Sequence, residues 1–407
     1  MSDLAAPSEG SALDRFFRFG DRDTTLARDT IAGMTTFIVM SYIIFVNPAI
    51  LGFAGVPGLA GQGLPFEAVL TSTCLVAGVM TIIMGLYTNM AYAIAPGLGL
   101  NAVVAFTLVA QNGLSFPEAM GLIVVEGLVA VLAVLVGLRQ AIMRAIPLEL
   151  KKAIAIGIGL FIAFIGLYNS GIVVRGPATP VELGRFTTWP IAIALFGLVV
   201  TIVLRAIRFR GDLLLGILAT TVFATIVNWA TDYSVYSTPG SEGWARWPSD
   251  IFQSPNFSLV GEFSFDSFAT LGVISTLVWV FALFLADFFD TMGTLVGVGK
   301  PAGYLNEKGE FRDIRKPLLV DSVAAMAGGA ASASSATTYI ESGAGVAAGG
   351  RTGWVSVVTG LLFFPFLFIA PLIGMVPPQA TAAALIIVGW LMITTLTEVE
   401  EEAEQEE

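Results

Sequence analysis

Residues 91–106 read AYAIAPGLGLNAVVAF. The stretch is apolar enough for a bilayer, yet Pro96, Gly97 and Gly99 interrupt it and Asn101 follows at once. Proline removes a backbone donor, and glycine weakens helix continuation. Backbone groups released inside a bilayer must be satisfied by protein or by a water-lined cavity. The reading is a discontinuous helix rather than a merely kinked one. A second irregular stretch, Ala331–Gly350 (ASASSATTYIESGAGVAAGG), is built of small and hydroxyl residues and carries Glu341 near its middle. Its approach, Ala324–Ala333, is small throughout, which taken alone signals only close helix packing. Packing does not account for Glu341, because an ionised side chain at mid-bilayer costs roughly 2.5–3.5 kcal/mol or more.

The surrounding chain has 407 residues, 56% of them hydrophobic and 13% charged, with a mean hydropathy of +0.82. Soluble domains carry about 25% charged residues, so an ordinary cytosolic enzyme is excluded. A lone cysteine, Cys74, forms no internal disulfide, and the absence of histidine removes the commonest metal ligand. Zinc chemistry and Ser-His or Cys-His catalysis go with it, and nothing indicates a cofactor, a structural metal or a nucleic-acid partner. Much of the net charge of −11 sits in Glu398–Glu407 (EVEEEAEQEE), which reads as a solvated end rather than a binding surface.

A span needs about 20 apolar residues. Twelve candidates follow, near 30–51, 67–87, 91–111, 117–137, 152–170, 189–206, 212–230, 268–298, 316–333, 334–350, 352–371 and 376–396. The expected fold class is an all-α polytopic membrane protein. Residues 139–151 (RQAIMRAIPLELK) are short and amphipathic and are assigned to the interface. A cytoplasmic N-terminus places 17 of the 20 Lys and Arg residues inside, leaving Arg175, Arg185 and Arg246 outside. The positive-inside rule therefore puts both termini in the cytoplasm of a cell-membrane protein. The outer segment 231–267 carries Tyr233, Tyr236, Trp244 and Trp247, read here as an aromatic interface belt in preference to a small packed loop.

Between the two irregular stretches, span 8 ends WVFALFLADFFDTMGTLVGVG. Asp287 and Asp290 lie three residues apart, on one helix face, with Thr291 and Thr294 following. Other acids carry less weight. Glu118 sits at a helix start, Glu126 is a mid-span acid with no evident partner, and Asp321 belongs near the inner end of span 9; all three are read as structural or secondary. The broken third span and the polar tenth span, third from the eighth, occupy corresponding places. Such pairing is the sequence sign of an inverted-repeat secondary transporter with a midplane site and a seven-span repeat.

Four blocks carry a resemblance: Met34–Leu51 (MTTFIVMSYIIFVNPAIL), Asn89–Phe106 (NMAYAIAPGLGLNAVVAF), Ala286–Gly299 (ADFFDTMGTLVGVG) and Ser334–Gly353 (SSATTYIESGAGVAAGGRTG). In this order they resemble the xanthine/uracil permease superfamily, and within it the hypoxanthine/guanine branch. The resemblance implies fourteen spans in two inverted seven-span repeats. Spans 1–4 (30–137) and 8–11 (268–371) would form a core domain. Spans 5–7 (138–230) and 12 (372–396) would belong to a gate domain. Residues 1–29, 231–267 and 397–407 would be the N-terminal segment, the outer loop and the acidic tail. The chain turns polar after Gly389–Ile393, so the family's spans 13 and 14 are expected to be missing from the gate half.

The same resemblance maps a substrate site onto Gly97, Gly99 and Asn101 of span 3, Asp287 and Asp290 of span 8, and Glu341 with Thr338 and Ser342 of span 10; Thr294 joins it from the span-8 face. The expected substrate is a purine nucleobase, whose adjacent N–H donors match the two acceptor oxygens of a carboxylate. Glu341 is assigned the base edge, with one of the two aspartates completing the site. Without histidine, a co-transported proton must ride on Asp287, Asp290 or Glu341. The alternatives are a chain that binds purine without transporting it, an anion transporter of the same fold, whose cargo these acids would repel, and an intramembrane aspartyl protease, whose Gly-x-Gly-Asp pattern is absent. Oligomeric state is open, with a homodimer implied by the family.

Overall fold

The structure, a computed structural model, describes residues 12–405 apart from 57, 60, 138–147, 177–178, 238–240, 242, 307–310 and 312. Each of the twelve expected spans has a counterpart. Six helices are long and apolar enough to cross a membrane: Leu26–Leu51, Phe66–Thr88, Phe116–Leu135, Trp189–Ala206, Asp212–Ala230 and Val273–Ala302. Shorter apolar helices at Leu98–Gln111, Ile156–Asn169, Trp354–Phe368 and Pro378–Thr394 fall in the third, fifth, eleventh and twelfth places. Span 9 is Arg315–Ala330, and span 10 is a strand followed by the helix Ser342–Ala347. The interfacial segment expected at 139–151 lies outside the described residues up to position 147. The last helix does not stop at the acidic run but continues to Gln405.

Span 1 is divided at Ser41–Tyr42 into the helices Leu26–Met40 and Ile43–Leu51. Pro48 withholds the N–H that would bond the Ile44 carbonyl, and the Ser41 hydroxyl bonds the Ile38 carbonyl at 3.1 Å. Both loosen the helical ladder beside Tyr42.

Spans 3 and 10 are discontinuous, as their composition predicts. Strand β1 (Ile94–Pro96) leads into Leu98–Ala102 and a π-helical stretch, Val103–Gln111. Strands β2 (Val173–Val174) and β3 (Glu182–Leu183) form a small hairpin after span 5. Strand β4 (Ala336–Thr338) pairs antiparallel with β1, setting Ile94 opposite Thr338 and Pro96 opposite Ala336. The ladder is extended by Gly97 N to Ser335 O at 2.8 Å and Tyr339 N to Ala93 O at 2.9 Å. Each broken span thus satisfies the backbone of the other. Neighbouring hydroxyls complete the set: Thr81 Oγ1 serves both the N–H and the carbonyl of Ile94, and the Tyr339 hydroxyl donates to the Pro96 carbonyl.

The chain enters β4 through a tight turn in which Ser332 and Ser334 hold positive φ, at 56° and 71°. Non-glycine residues there cost on the order of 1–3 kcal/mol each, and the surrounding packing must over-determine them. Small residues make that packing possible. A Cβ on Gly127 would lie 2.4 Å from the Met326 nitrogen, so spans 4 and 9 touch backbone to backbone.

Helices pack in two groups. Spans 1–4 and 8–11 pack among themselves, as do spans 5, 6, 7 and 12; the groups meet where span 5 touches spans 3 and 8, and spans 7 and 12 touch span 1. One end of the first group is pinned by Asp29, which accepts from Thr24 Oγ1 and from Arg351 N, Thr352 N and Thr352 Oγ1. The loop 231–267 departs from the belt reading. Tyr236 is buried with Ala245 against Ile193, Ala224 and Val227, and Trp244 packs on that cluster, whereas Tyr233 and Trp247 stay exposed. Its aromatics are divided between a packed loop and the surface because Ala245 N bonds the Met375 carbonyl and Asn228 Nδ2 bonds the Ala245 carbonyl, folding the loop inward.

A Cβ on Gly328 would meet the Ser334 carbonyl oxygen at 2.1 Å, and neither backbone has room to yield. Gly328→Ala is therefore expected to lower the melting temperature of the detergent-solubilised protein by several degrees. An unchanged melting curve would show that the turn into β4 is not rigidly held.

Candidate functional site

The bend in span 1 delivers Tyr42 to the crossing of β1 and β4. The crossing itself contributes Gly97, Leu98 and Gly99 on one side and Thr338, Tyr339, Ile340 and Glu341 on the other; span 8 adds Asp290 and Thr294, and span 12 adds Val388 and Met392. Together they line a cavity of about 80 Å³. A larger depression of about 520 Å³, at Phe252, Gln253, Ser254, Pro365 and Phe368, is open and has no ionisable lining. The smaller cavity gathers the acids, so it is the candidate site.

Glu341 stands at the start of the half-helix Ser342–Ala347, and its Oε1 accepts a 2.5 Å hydrogen bond from the Tyr42 hydroxyl. Asp290 and Thr294 sit one turn apart on the same stripe of the 30-residue helix Val273–Ala302. Among the described residues no hydrogen-bond donor reaches the Asp290 carboxylate and no Lys or Arg lines the cavity. Two carboxylates therefore face one small volume without a lining cation.

Six of the residues named from the sequence line this cavity: Gly97, Gly99, Asp290, Thr294, Thr338 and Glu341. Three do not. Asp287 precedes Asp290 by three residues, about 60° round the helix, and is only 1% exposed, away from the lining. Asn101 is fully buried one turn behind Gly97, where its Nδ2 donates to Asn47 Oδ1 at 2.5 Å. Asn47 in turn donates to Thr73 Oγ1 at 2.8 Å and the Ala333 carbonyl at 3.2 Å, tying spans 1, 2, 3 and the approach to β4. Ser342 stitches the crossing, since its Oγ accepts from Ala93 N at 2.9 Å and donates to the Tyr339 carbonyl at 2.6 Å.

Tyr42, Tyr339 and Asn47 escape a reading of the sequence, and their signals are weak. A tyrosine in an apolar run looks like core, and a single asparagine acquires meaning only from a partner more than fifty positions away. Glu118 forms a capping box with Ser115, in keeping with its place at a helix start. Glu126 gains a partner that the sequence did not show, the Ser335 hydroxyl at 3.4 Å on the run into β4.

Two discontinuous spans crossing at a polar cavity within a membrane-helix bundle are the arrangement of an inverted-repeat transporter. Residues 28–405 match the xanthine/uracil permease family (Permease family, Xan_ur_permease), and the chain belongs to it. Adenine permease AdeQ of Escherichia coli (strain K12) is 38% identical over 96% of this chain and 83% of its own length. Guanine/hypoxanthine permease PbuG of Bacillus subtilis (strain 168) is 37% identical over 94% of this chain and 84% of its own. Among solved structures, the transmembrane domain of the cyanobacterial bicarbonate transporter BicA superposes with a TM-score of 0.62 at 16% identity, covering 90% of this chain and 88% of that one. That likeness is one of fold.

A Cβ on Gly99 would strike Ile158 Cγ2 of span 5 at 2.3 Å, so this glycine sets how closely the two helix groups approach. Gly99→Ala is expected to lower thermal stability, and adding Ile158→Ala to recover it. A double variant no more stable than Gly99→Ala would remove that contact from the account.

Proposed function

We propose that this chain imports purine nucleobases, guanine and hypoxanthine with adenine as a further substrate, across the cell membrane by proton symport. The observation that carries the reading is the cavity at the β1/β4 crossing, in which Glu341 is held by Tyr42 and faces Asp290. The names of the relatives, adenine permease and guanine/hypoxanthine permease, point to the same substrate class.

Glu341 takes the purine edge. Guanine presents an adjacent ring N–H and amino group, and a carboxylate supplies two acceptors in matching geometry. The Tyr42 bond fixes the rotamer of Glu341 while engaging only one lone pair of Oε1, so both oxygens keep acceptor capacity for the base. Charge-assisted bonds of this kind are roughly twice as strong as neutral ones. Leu98, Val388 and Met392 offer apolar faces for the ring.

Asp290 is the proton carrier in this account. It opens onto the cavity, accepts from no donor among the described residues, and shares the space with Glu341. Like charges at such a site are relieved by one shared proton. Asp287 lies off the lining. Among the described residues an anion would meet two carboxylates and no lining cation, which disfavours bicarbonate-type cargo despite the shared fold.

Spans 1–4 and 8–11 then act as the substrate-bearing core and spans 5–7 and 12 as the gate, a division supported by the two packing groups. The distribution of Lys and Arg supports cytoplasmic termini.

Equilibrium binding of radiolabelled guanine to the purified protein tests the assignment. Glu341→Gln is expected to weaken binding by about tenfold or more, the loss of a charge-assisted interaction, while the protein stays folded. Asp290→Asn is expected to bind guanine but to lose accumulation driven by an acidic exterior. Unchanged guanine affinity in Glu341→Gln would refute the role given to Glu341.

A further inference from the structure

We propose that the Arg205–Asp212 ion pair, at the turn between spans 6 and 7, is the gate half's electrostatic contribution to the purine site and sets which charge state of the base that site accepts. The inference rests on the preceding reading of Glu341 as the purine acceptor. Arg205 lies in the last turn of span 6, and Asp212 opens span 7. Arg205 Nη1 donates to Asp212 Oδ2 at 2.9 Å, and Leu213 N donates to Asp212 Oδ1 at 2.9 Å. Asp212 is buried and Arg205 half-buried, whereas Arg208 and Arg210 of the same turn are exposed.

A brace for the turn would need no more than this, since an acid at a helix start and a base at a helix end each suit the local dipole. The pair, however, stands against the core. A Cβ on Gly211, the residue before Asp212, would lie 2.6 Å from Ile38 Cγ2 of span 1. Ile38 precedes Tyr42 by four residues, and Tyr42 holds Glu341. Leu213 and Ile217 of span 7 enter the same buried cluster as Met40, Tyr42 and Ile43. At this range both charges of the pair act on Glu341, with opposite signs. Tyr42 of span 1, Tyr339 of span 10 and Asp290 of span 8 also face Glu341, and all of these belong to the core. The gate meets the site with apolar Val388 and Met392 at the lining and with an ion pair off it.

Paired, the two charges cancel, and a neutral base is received by the side chains of the core alone. Separated, they do not cancel, and a charge interaction in a medium of low dielectric persists over many ångströms. Asp212→Asn keeps an acceptor oxygen for Leu213 N but leaves the Arg205 charge unmatched, so the site becomes more positive. Arg205→Gln leaves Asp212 unmatched, and the site becomes more negative. The double variant restores neutrality without the salt bridge. A brace for the turn would weaken in all three variants alike, whereas an electrostatic role splits the two single variants by sign.

Cys74 is fully buried, so Ile340→Cys, half exposed on the cavity lining beside Glu341, supplies one accessible thiol. Its labelling rate is measured with an anionic and a cationic methanethiosulfonate of similar size. The anionic-to-cationic ratio reads the local potential, because access and thiolate fraction cancel. Asp212→Asn is expected to raise this ratio by about fivefold and Arg205→Gln to lower it by about as much, one unpaired charge acting on reagents of opposite sign. The double variant is expected near the wild-type ratio. In the chain with native Ile340, xanthine competes against radiolabelled guanine at mildly alkaline pH, where xanthine has shed a ring proton. Its affinity relative to guanine is expected to rise about fivefold in Asp212→Asn and to fall about fivefold in Arg205→Gln. If Arg205→Gln does not accumulate in the membrane, Asp212→Asn and the double variant decide the matter. Single variants that move the ratio the same way or not at all, or a double variant as displaced as a single one, would overturn the proposal. So would shifted ratios with an unchanged relative affinity for xanthine. A wild-type chain that binds no guanine would defeat the purine reading, while the labelling ratios would still judge the ion pair.

Discussion

A bilayer offers no water to a broken helix, and this constraint organises the whole molecule. Spans 3 and 10 each give up helical hydrogen bonds near Pro96 and near Thr337, and neither could do so alone. Pairing β1 with β4 lets the two defects cancel, leaving a short antiparallel ladder where two continuous helices would otherwise stand. Everything nearby serves that ladder. Thr81 and Asp321 grip its outer edges, Ser342 and Tyr339 close its end, and the small residues of span 9 let the turn through Ser332 and Ser334 approach closely.

The same arrangement makes a site. Breaking a helix places a fresh helix start beside the break, and Glu341 stands at such a start with the Tyr42 hydroxyl fixing one oxygen. Span 8 passes alongside and offers Asp290 and Thr294 from one stripe. Among the described residues the cavity so formed has acids, hydroxyls, apolar faces and no lining cation. On the proposed reading, these features receive a neutral, donor-rich ring. The BicA fold shows that one scaffold accommodates different cargo, so the side chains at the crossing, rather than the fold, set the chemistry.

Much of this was legible in the sequence because membrane composition makes polar residues conspicuous. Pro96 with Gly97 and Gly99 announced a broken span, and Glu341 announced a site, since both violate an otherwise uniform apolar pattern. The choice between Asp287 and Asp290 was not legible, because it depends on helical phase: a 60° rotation separates the cavity from the packed interior. Asn101 was mapped to the site by the family resemblance, yet its amide bonds Asn47 of span 1. Tyr236 and Trp244 looked interfacial because a sequence does not show that Ala245 and Asn228 fold the outer loop onto spans 6 and 7. In each case the missing information was a contact between residues far apart in the chain.

The account stands on the claim that this cavity carries a purine together with a proton. Its most direct test is guanine uptake into proteoliposomes containing the purified chain, with an inwardly directed pH gradient imposed and no sodium present. Accumulation above equilibrium that collapses when an uncoupler dissipates the gradient is the predicted result. Accumulation that ignores the pH gradient and requires sodium would contradict it.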